Sequence, residues 1–323
     1  MKKVVGMGAA LVDILVQVDD AWVERTGSPK GGMTMVGKEF ARAHLTPGMK
    51  PVYVPGGSAC NTVVGYAKLG GEAAFISKVG DDELGQVFLK HLKDSGVESL
   101  LMKTSEAGTG QVLVAITPDA ERSMFTYLGA SDSLEAGNLT PAQFAGADFF
   151  YLEGYRAYHA ECFRHAIRLA ESVKAKVIVD FGAFGVVNDC RTLFESLFAE
   201  KKIDVIIANE EEAFAFTGMR GEEALAPLAG LAETAIVKVG SRGAYVSQGG
   251  KTYFAPAFPV QAVDTTGAGD LWAAGFLFGL AQHFDLEKCA RLGNFIAAEV
   301  IQVTGPRIPE EGWLRIREFI KTL

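Results

Sequence analysis

Residues 264–276 read DTTGAGDLWAAGF, with Asp270 directly behind a Gly-Ala-Gly turn and directly ahead of an apolar, helix-like run. Gly267 and Gly269 free successive backbone N–H groups to point into one space, and a helix starting there adds the positive end of its dipole. Such a nest suits a phosphate. A carboxylate would repel that phosphate in a plain binding site, so Asp270 suggests a second task. It would accept the proton of a hydroxyl attacking phosphorus while the N–H groups of Gly267, Ala268 and Gly269 stabilise the developing charge. The competing reading is an N-capping aspartate, which is common at such turns.

A second glycine-rich stretch, PGGSACNTVVGYAKLGG (55–71), places Gly56 and Gly57 before a helix carrying Asn61 near its first turn. A glycine pair lets a polyhydroxylated ligand approach backbone N–H groups, and Asn61 offers a donor and an acceptor to neighbouring hydroxyls. Asp13, at the end of the first strand-like region, accepts from further hydroxyls in this reading. A Gly-Gly turn with a capping Asn is also ordinary loop chemistry.

These residues need a frame. Strand-like runs KKVVGMG, AAFISKVG (73–80), ADFFYLEG (147–154), KVIVDFG (176–182), DVIIANE (204–210) and TAIVKVG (234–240) alternate with helix-like segments such as 82–96 and 161–175. Short apolar strands between amphipathic helices predict an α/β fold, doubly wound, with a mostly parallel sheet covered on both faces. Ligands in such folds sit beyond the carboxyl ends of the strands. Residues 14–18, 31–37, 109–117 and 122–128 are strand-like without intervening helices, the last two joined by PDAE (118–121). They predict a small β-sheet lid, from about 14–46 and 105–129, inserted in a single domain spanning 1–323.

Composition narrows the alternatives. With 49% hydrophobic and 22% charged residues the chain reads as an ordinary globular protein, and its formal net charge of −8 argues against a nucleic-acid partner. Cys60, Cys162, Cys190 and Cys289 show no C-x-x-C spacing, which fits reduced thiols and a cytoplasmic location. Acids interrupt the N-terminal apolar run, and no stretch approaches a membrane span. GMGAAL (6–11) begins like a dinucleotide fingerprint, but Leu11 stands at the third glycine position and strand follows where a helix should. GMTMVGKE (32–39) mimics a P-loop with Glu39 where Ser or Thr must meet magnesium. No G-x-S-x-G elbow or H-x-x-x-H pair is present.

GGSACN with the downstream LGGEAAFISKVGDDELGQ, and DTTGAGDLWAAGF in the expected order near the C-terminus, resemble the ribokinase/PfkB family of carbohydrate and nucleoside kinases. The resemblance extends over essentially the whole chain. It implies an ATP-dependent phosphotransferase with a ribokinase-like core and a β-lid, using magnesium. Asp270 then corresponds to the catalytic base, and Gly267, Ala268 and Gly269 to the anion hole for the transferred phosphoryl. Asn209 and Glu212 in ANEEEAFAFTG match an N-x-x-E element that positions magnesium and phosphate largely through water. Lys238, Gly240 and Gly243 in VKVGSRGAY fall near ATP phosphates or ribose, and Asn294 at the adenine site. Asp13, Gly57 and Asn61 match substrate-hydroxyl contacts. Asp264 and Thr266, with VTGPR (303–307), lie where many members bind a monovalent cation, so potassium is expected there.

The N-terminal layout is similar to the adenosine-kinase branch. Arg122 in ERSMFTYLGAS (121–131) matches an arginine reaching toward the phosphate, a clamp suited to a guanidinium. Ala9 and Met33 depart from that branch, replacing an asparagine and a glutamine that meet the purine, and the loss of two hydrogen-bonding groups weakens discrimination for a base. Residues 181–184 offer an aromatic wall. The favoured substrate is an adenosine- or ribose-like molecule with a primary hydroxyl. The alternatives are a free sugar or sugar acid, such as fructose or ketodeoxygluconate, and a non-catalytic nucleotide or nucleoside sensor on the same fold. Small-molecule partners, without nucleic acid or membrane, are expected of a monomer or homodimer.

Overall fold

In a computed structural model, residues 1–119, 121–201 and 203–323 are described. Ala120, in the PDAE link, and Lys202 lie outside them. The described residues form the strands β1 (Lys3–Met7), β2 (Leu11–Gln17), β3 (Met33–Met35), β4 (Val52–Gly56), β5 (Glu72–Gly80), β6 (Val97–Thr104) and β7 (Gly110–Ile116). They continue with β8 (Arg122–Tyr127), β9 (Phe149–Glu153), β10 (Lys176–Asp180), β11 (Ile203–Asn209), β12 (Ala232–Lys238), β13 (Gly243–Gln248) and β14 (Lys251–Pro256).

The larger sheet has the order β14-β13-β12-β11-β10-β9-β1-β5-β6. It is parallel from β6 to β12, and β13 and β14 return antiparallel at one edge. Burial on both faces explains the near-continuous apolar strands. Phe149 and Tyr151 of β9 join one core with the helices Ser58–Lys68 and Ala268–Ala281, while Phe150 and Leu152 join the other with the helix Ala160–Ser172. The helix Ala268–Ala281 is apolar nearly all round because it is enclosed. Its Ala274 lies so close to Gly65 that a Cβ on Gly65 would stand 2.8 Å from the Ala274 Cβ.

The smaller sheet has the order β3-β8-β7-β2-β4 and contains all four of the expected strand pieces. β4 is an addition. Pro51 and Pro55 make its sequence read as loop, but it lies at the sheet edge, where proline is tolerated. One face of this sheet packs Ile14, Val16, Leu113, Ala115 and Phe125 against Trp22, Val23 and Ala41. Strand alternation puts Asp13 on the opposite face with Leu11 and Leu15.

Candidate active site

Parallel strands present their carboxyl ends to one edge of the larger sheet, and polar residues gather there in register. Glu153 at the end of β9 lies opposite Asp180 at the end of β10, and Asn209 at the end of β11 lies opposite Lys238 at the end of β12. The strand order reverses at β1, between β5 and β9, where doubly wound sheets leave a crevice for ligands.

Asp270 stands in the first turn of the helix Ala268–Ala281, whose N-cap is Gly267 in the left-handed conformation at φ 76°. The capping reading of Asp270 therefore fails. Its carboxylate reaches across to the helix Ser58–Lys68, where Oδ1 accepts from Ser58 Oγ at 2.8 Å and Oδ2 from Asn61 Nδ2 at 2.9 Å. Burial pushes the Asp270 carboxyl upward, the bonds from Asn61 and Ser58 oppose that push, and the charge of Asp180 adds to it. A carboxylate with a raised pKa, held at a fixed point, is a competent proton acceptor.

Asn61 thus meets Asp270 directly. Gly57 has φ 99°, and a Cβ there would stand 2.2 Å from the Ala9 carbonyl oxygen, so only glycine lets the two chain segments cross. Asp13 lies beside Gly56, whose Cβ would be 3.4 Å from Asp13 Oδ2. Burial pushes the Asp13 carboxyl up to about 7 against the charges of Arg122 and Arg307, with Asp270 adding to the rise.

Lys238 sits beside the glycine nest, with its Nζ 3.2 Å from where a Gly269 Cβ would be and 3.4 Å from Asp180 Oδ2. Burial works against its ammonium, but Asp180, Glu212 and Asp270 together hold it protonated above its ordinary range. Asn209 caps the helix Glu210–Thr217, accepting from the Glu212 N–H at 2.9 Å. Glu212 in turn accepts from the Asn209 N–H at 2.8 Å and from Asn209 Nδ2 at 2.6 Å, and burial pushes its carboxyl upward. Gly240 and Gly243 form the turn between β12 and β13, where a Cβ on Gly243 would strike the Ala255 carbonyl oxygen.

Other expected residues are committed elsewhere. Asn294 is buried, with Nδ2 donating to the Ala255 and Pro256 carbonyls at 2.8 and 3.0 Å and Oδ1 accepting from Trp272 Nε1 at 2.7 Å. Its amide ties two helices to β14. Arg122 pairs with Asp264 at 2.5 Å and donates to Thr266 Oγ1 at 3.3 Å.

Three contributors escaped sequence reasoning. Ser58 holds Asp270 from a position 212 residues away. Asp180 is buried, accepts from the Tyr151 hydroxyl at 3.0 Å and faces Lys238. Glu153 is buried and accepts from the Ala9 N–H at 2.7 Å and the Ala59 N–H at 2.9 Å, pinning the turn after β1 to the start of the helix Ser58–Lys68. The usable signal was position, since Glu153 and Asp180 are acids that end parallel strands directly after the apolar runs FFYL and VIV.

Residues 35–312 match the model of the pfkB family carbohydrate kinases. The chain belongs to that family. It is similar to the adenosine kinase of Sinorhizobium meliloti, whose crystal structure is 34% identical, covers 98% of this chain and 99% of its own, and superposes with a TM-score of 0.88. A probable sugar kinase from Rhizobium etli CFN 42 is 31% identical over 100% of this chain and 99% of its own, with a TM-score of 0.89. The ribokinase of Haemophilus influenzae is 28% identical over 85% of this chain and 86% of its own. This pfkB family member is accordingly an ATP-dependent sugar or nucleoside kinase with the ribokinase-like fold.

Proposed function

We propose that this kinase phosphorylates the primary hydroxyl of an adenosine- or ribose-like substrate, with Asp270 as the base. The observation that carries the base assignment is the placement of the Asp270 carboxylate, held by Ser58 and Asn61 beside the nest 267–269 and within the field of Lys238, while the likeness to the Sinorhizobium meliloti adenosine kinase supports the substrate class. Asp270 takes the hydroxyl proton, and the N–H groups of Gly267 and Gly269 with the Lys238 ammonium meet the charge on the phosphoryl group, whereas the Ala268 N–H, expected to join them, donates to the Thr265 carbonyl at 3.1 Å. Asp13 and the backbone at Gly57 hold the substrate hydroxyls, while Asn61 orients the base. The turn of Gly240 and Gly243 lies alongside the nucleotide. Asn294, with both Nδ2 hydrogens donated to the Ala255 and Pro256 carbonyls, shapes that side by fixing them.

Among the described residues no cluster of three or more His, Cys, Asp or Glu side chains is arranged to ligate a metal directly. Both Glu212 oxygens and Asn209 Oδ1 already accept hydrogen bonds within the capping box, so this pair would act on magnesium arriving with the nucleotide through the ion's waters and not as direct ligands. That ion would supply charge screening on the phosphates. The smaller sheet acts as the lid in this reading, its Asp13-bearing face closing on the cleft and excluding water. Four buried, free thiols suit the cytoplasmic location proposed for this kinase, and among the described residues no helix is long and apolar enough to cross a membrane.

ADP release measured over adenosine, other nucleosides, ribose, fructose and ketodeoxygluconate tests the substrate. The expected outcome is the highest kcat/KM for a nucleoside or ribose. A preference for fructose or the sugar acid would replace that reading, and ligand-dependent melting without ADP release from any acceptor would favour a sensor.

A further inference from the structure

The potassium expected at Asp264 and Thr266 would meet a guanidinium already seated on the Asp264 carboxylate. Potassium is held by oxygen lone pairs, backbone carbonyls above all. Asp264 lies instead in a ring of proton donors. Its Oδ1 accepts from the Thr266 N–H at 3.0 Å and the Thr266 hydroxyl at 2.7 Å, and its Oδ2 accepts from the Gly305 N–H at 2.5 Å and pairs with Arg122 Nη2 at 2.5 Å. The Ile301 carbonyl, two residues before the expected loop 303–307, anchors the segment by accepting from the N–H groups of Val263 at 2.7 Å and Asp264 at 3.1 Å. Burial pushes the Asp264 carboxyl up, but the bonds from Gly305 and Thr266 and the charge of Arg122 outweigh it and hold the group below its ordinary range.

We propose that Arg122 supplies, from within the chain, the positive charge that a monovalent cation would otherwise bring beside the anion hole, so that this kinase works without potassium. The inference rests on the reading of residues 267–269 as that hole. Asp264 stands three residues ahead of Gly267, and an uncompensated carboxylate there opposes an arriving phosphoryl group. The guanidinium neutralises it and, through Thr266 Oγ1 at 3.3 Å, steadies the residue next to the nest. The pair is not a solvated surface bridge, since the side chains are 18% and 9% exposed. The charges of Arg122 and Arg307 also act on Asp13, which stands on β2 of the same smaller sheet as Arg122. Because Arg122 belongs to β8 and Asp264 to the loop ahead of the catalytic helix, the charge is delivered by the smaller sheet.

The test compares potassium chloride with tetramethylammonium chloride at equal ionic strength, reading ADP release and the melting temperature of wild type, Arg122→Ala and Arg122→Lys. Wild type and Arg122→Lys are expected to be indifferent to the salt. Arg122→Ala is expected to lose roughly tenfold in kcat/KM for ATP in tetramethylammonium. Potassium restores most of that loss and raises the variant's melting temperature, a rise that wild type lacks. Wild type that loses activity or melting temperature without potassium overturns the proposal. So does an Arg122→Ala deficit that potassium leaves untouched, which would make Arg122 a phosphate ligand alone. If no acceptor is phosphorylated in either salt, the kinase site reading fails, while the melting arms still decide whether potassium binds.

Discussion

Asp270 has both carboxylate oxygens bonded before any substrate arrives, one to Ser58 and one to Asn61. That arrangement fixes the direction of the remaining lone pairs, which a lone carboxylate on a turn does not do. In Asp270→Asn the size of the side chain is kept and its proton affinity is lost. Turnover is expected to fall by roughly 10²–10⁴-fold, while ATP still raises the melting temperature. Near-normal turnover in that variant would refute the assignment of the base. Asp270 and Asn61 were both legible in the sequence, each from its own glycine-rich neighbourhood. Their contact was not, because nothing local to either stretch encodes the crossing of two helices. Ser58 was invisible for the same reason, being an ordinary helix-start serine until Asp270 is placed above it.

At the scale of elements, glycine sets how closely the smaller sheet and the core approach each other. β4 runs into Gly57, whose positive φ and contact with Ala9 join the sheet to the helix that carries Ser58 and Asn61. Gly57→Ala strains the backbone and forces a Cβ onto a carbonyl. The expected cost is roughly 1–3 kcal/mol in urea unfolding, together with a raised KM for the phosphoryl acceptor. An unchanged urea midpoint would show that the crossing has slack. The alternating strands and helices of the core were readable because an apolar strand buried on both faces has few alternatives. β4 was not, because two prolines signal loop locally, and only the pairing of Val12 with Pro55 and Ile14 with Tyr53 reveals an edge strand.

For the whole molecule, burial of acids makes stability depend on pH. Burial pushes Asp13 from 3.8 and Glu153 from 4.5 up to about 7 in the fold. The folded chain keeps those protons while the unfolded chain has lost them, so the stability they contribute is full below the unfolded values and is lost as pH rises through about 7. Asp264 and Asp148, held low by hydrogen bonds and nearby cations, act the other way and weaken the fold as pH falls below the ordinary carboxylate range. The melting temperature of the ligand-free protein is therefore expected to peak at roughly pH 4 and decline toward pH 7. A melting temperature that climbs steadily from pH 5 to pH 8 would contradict the burial of these two acids.

The sequence by itself determined the class of fold, the kinase family and the two glycine-rich motifs, because strand periodicity, turn chemistry and a nest followed by a base are local properties of the chain. The tertiary structure alone decided the partners. It took Asp270 off the helix cap and put it on Ser58 and Asn61, turned Asn294 into a tie between helices and a strand, brought Glu153 and Asp180 into the site, and set Arg122 on Asp264 where a cation was expected. Each of these contacts joins residues distant in the chain, and the charge and hydrogen-bonding state of a buried group is set by what folding packs against it.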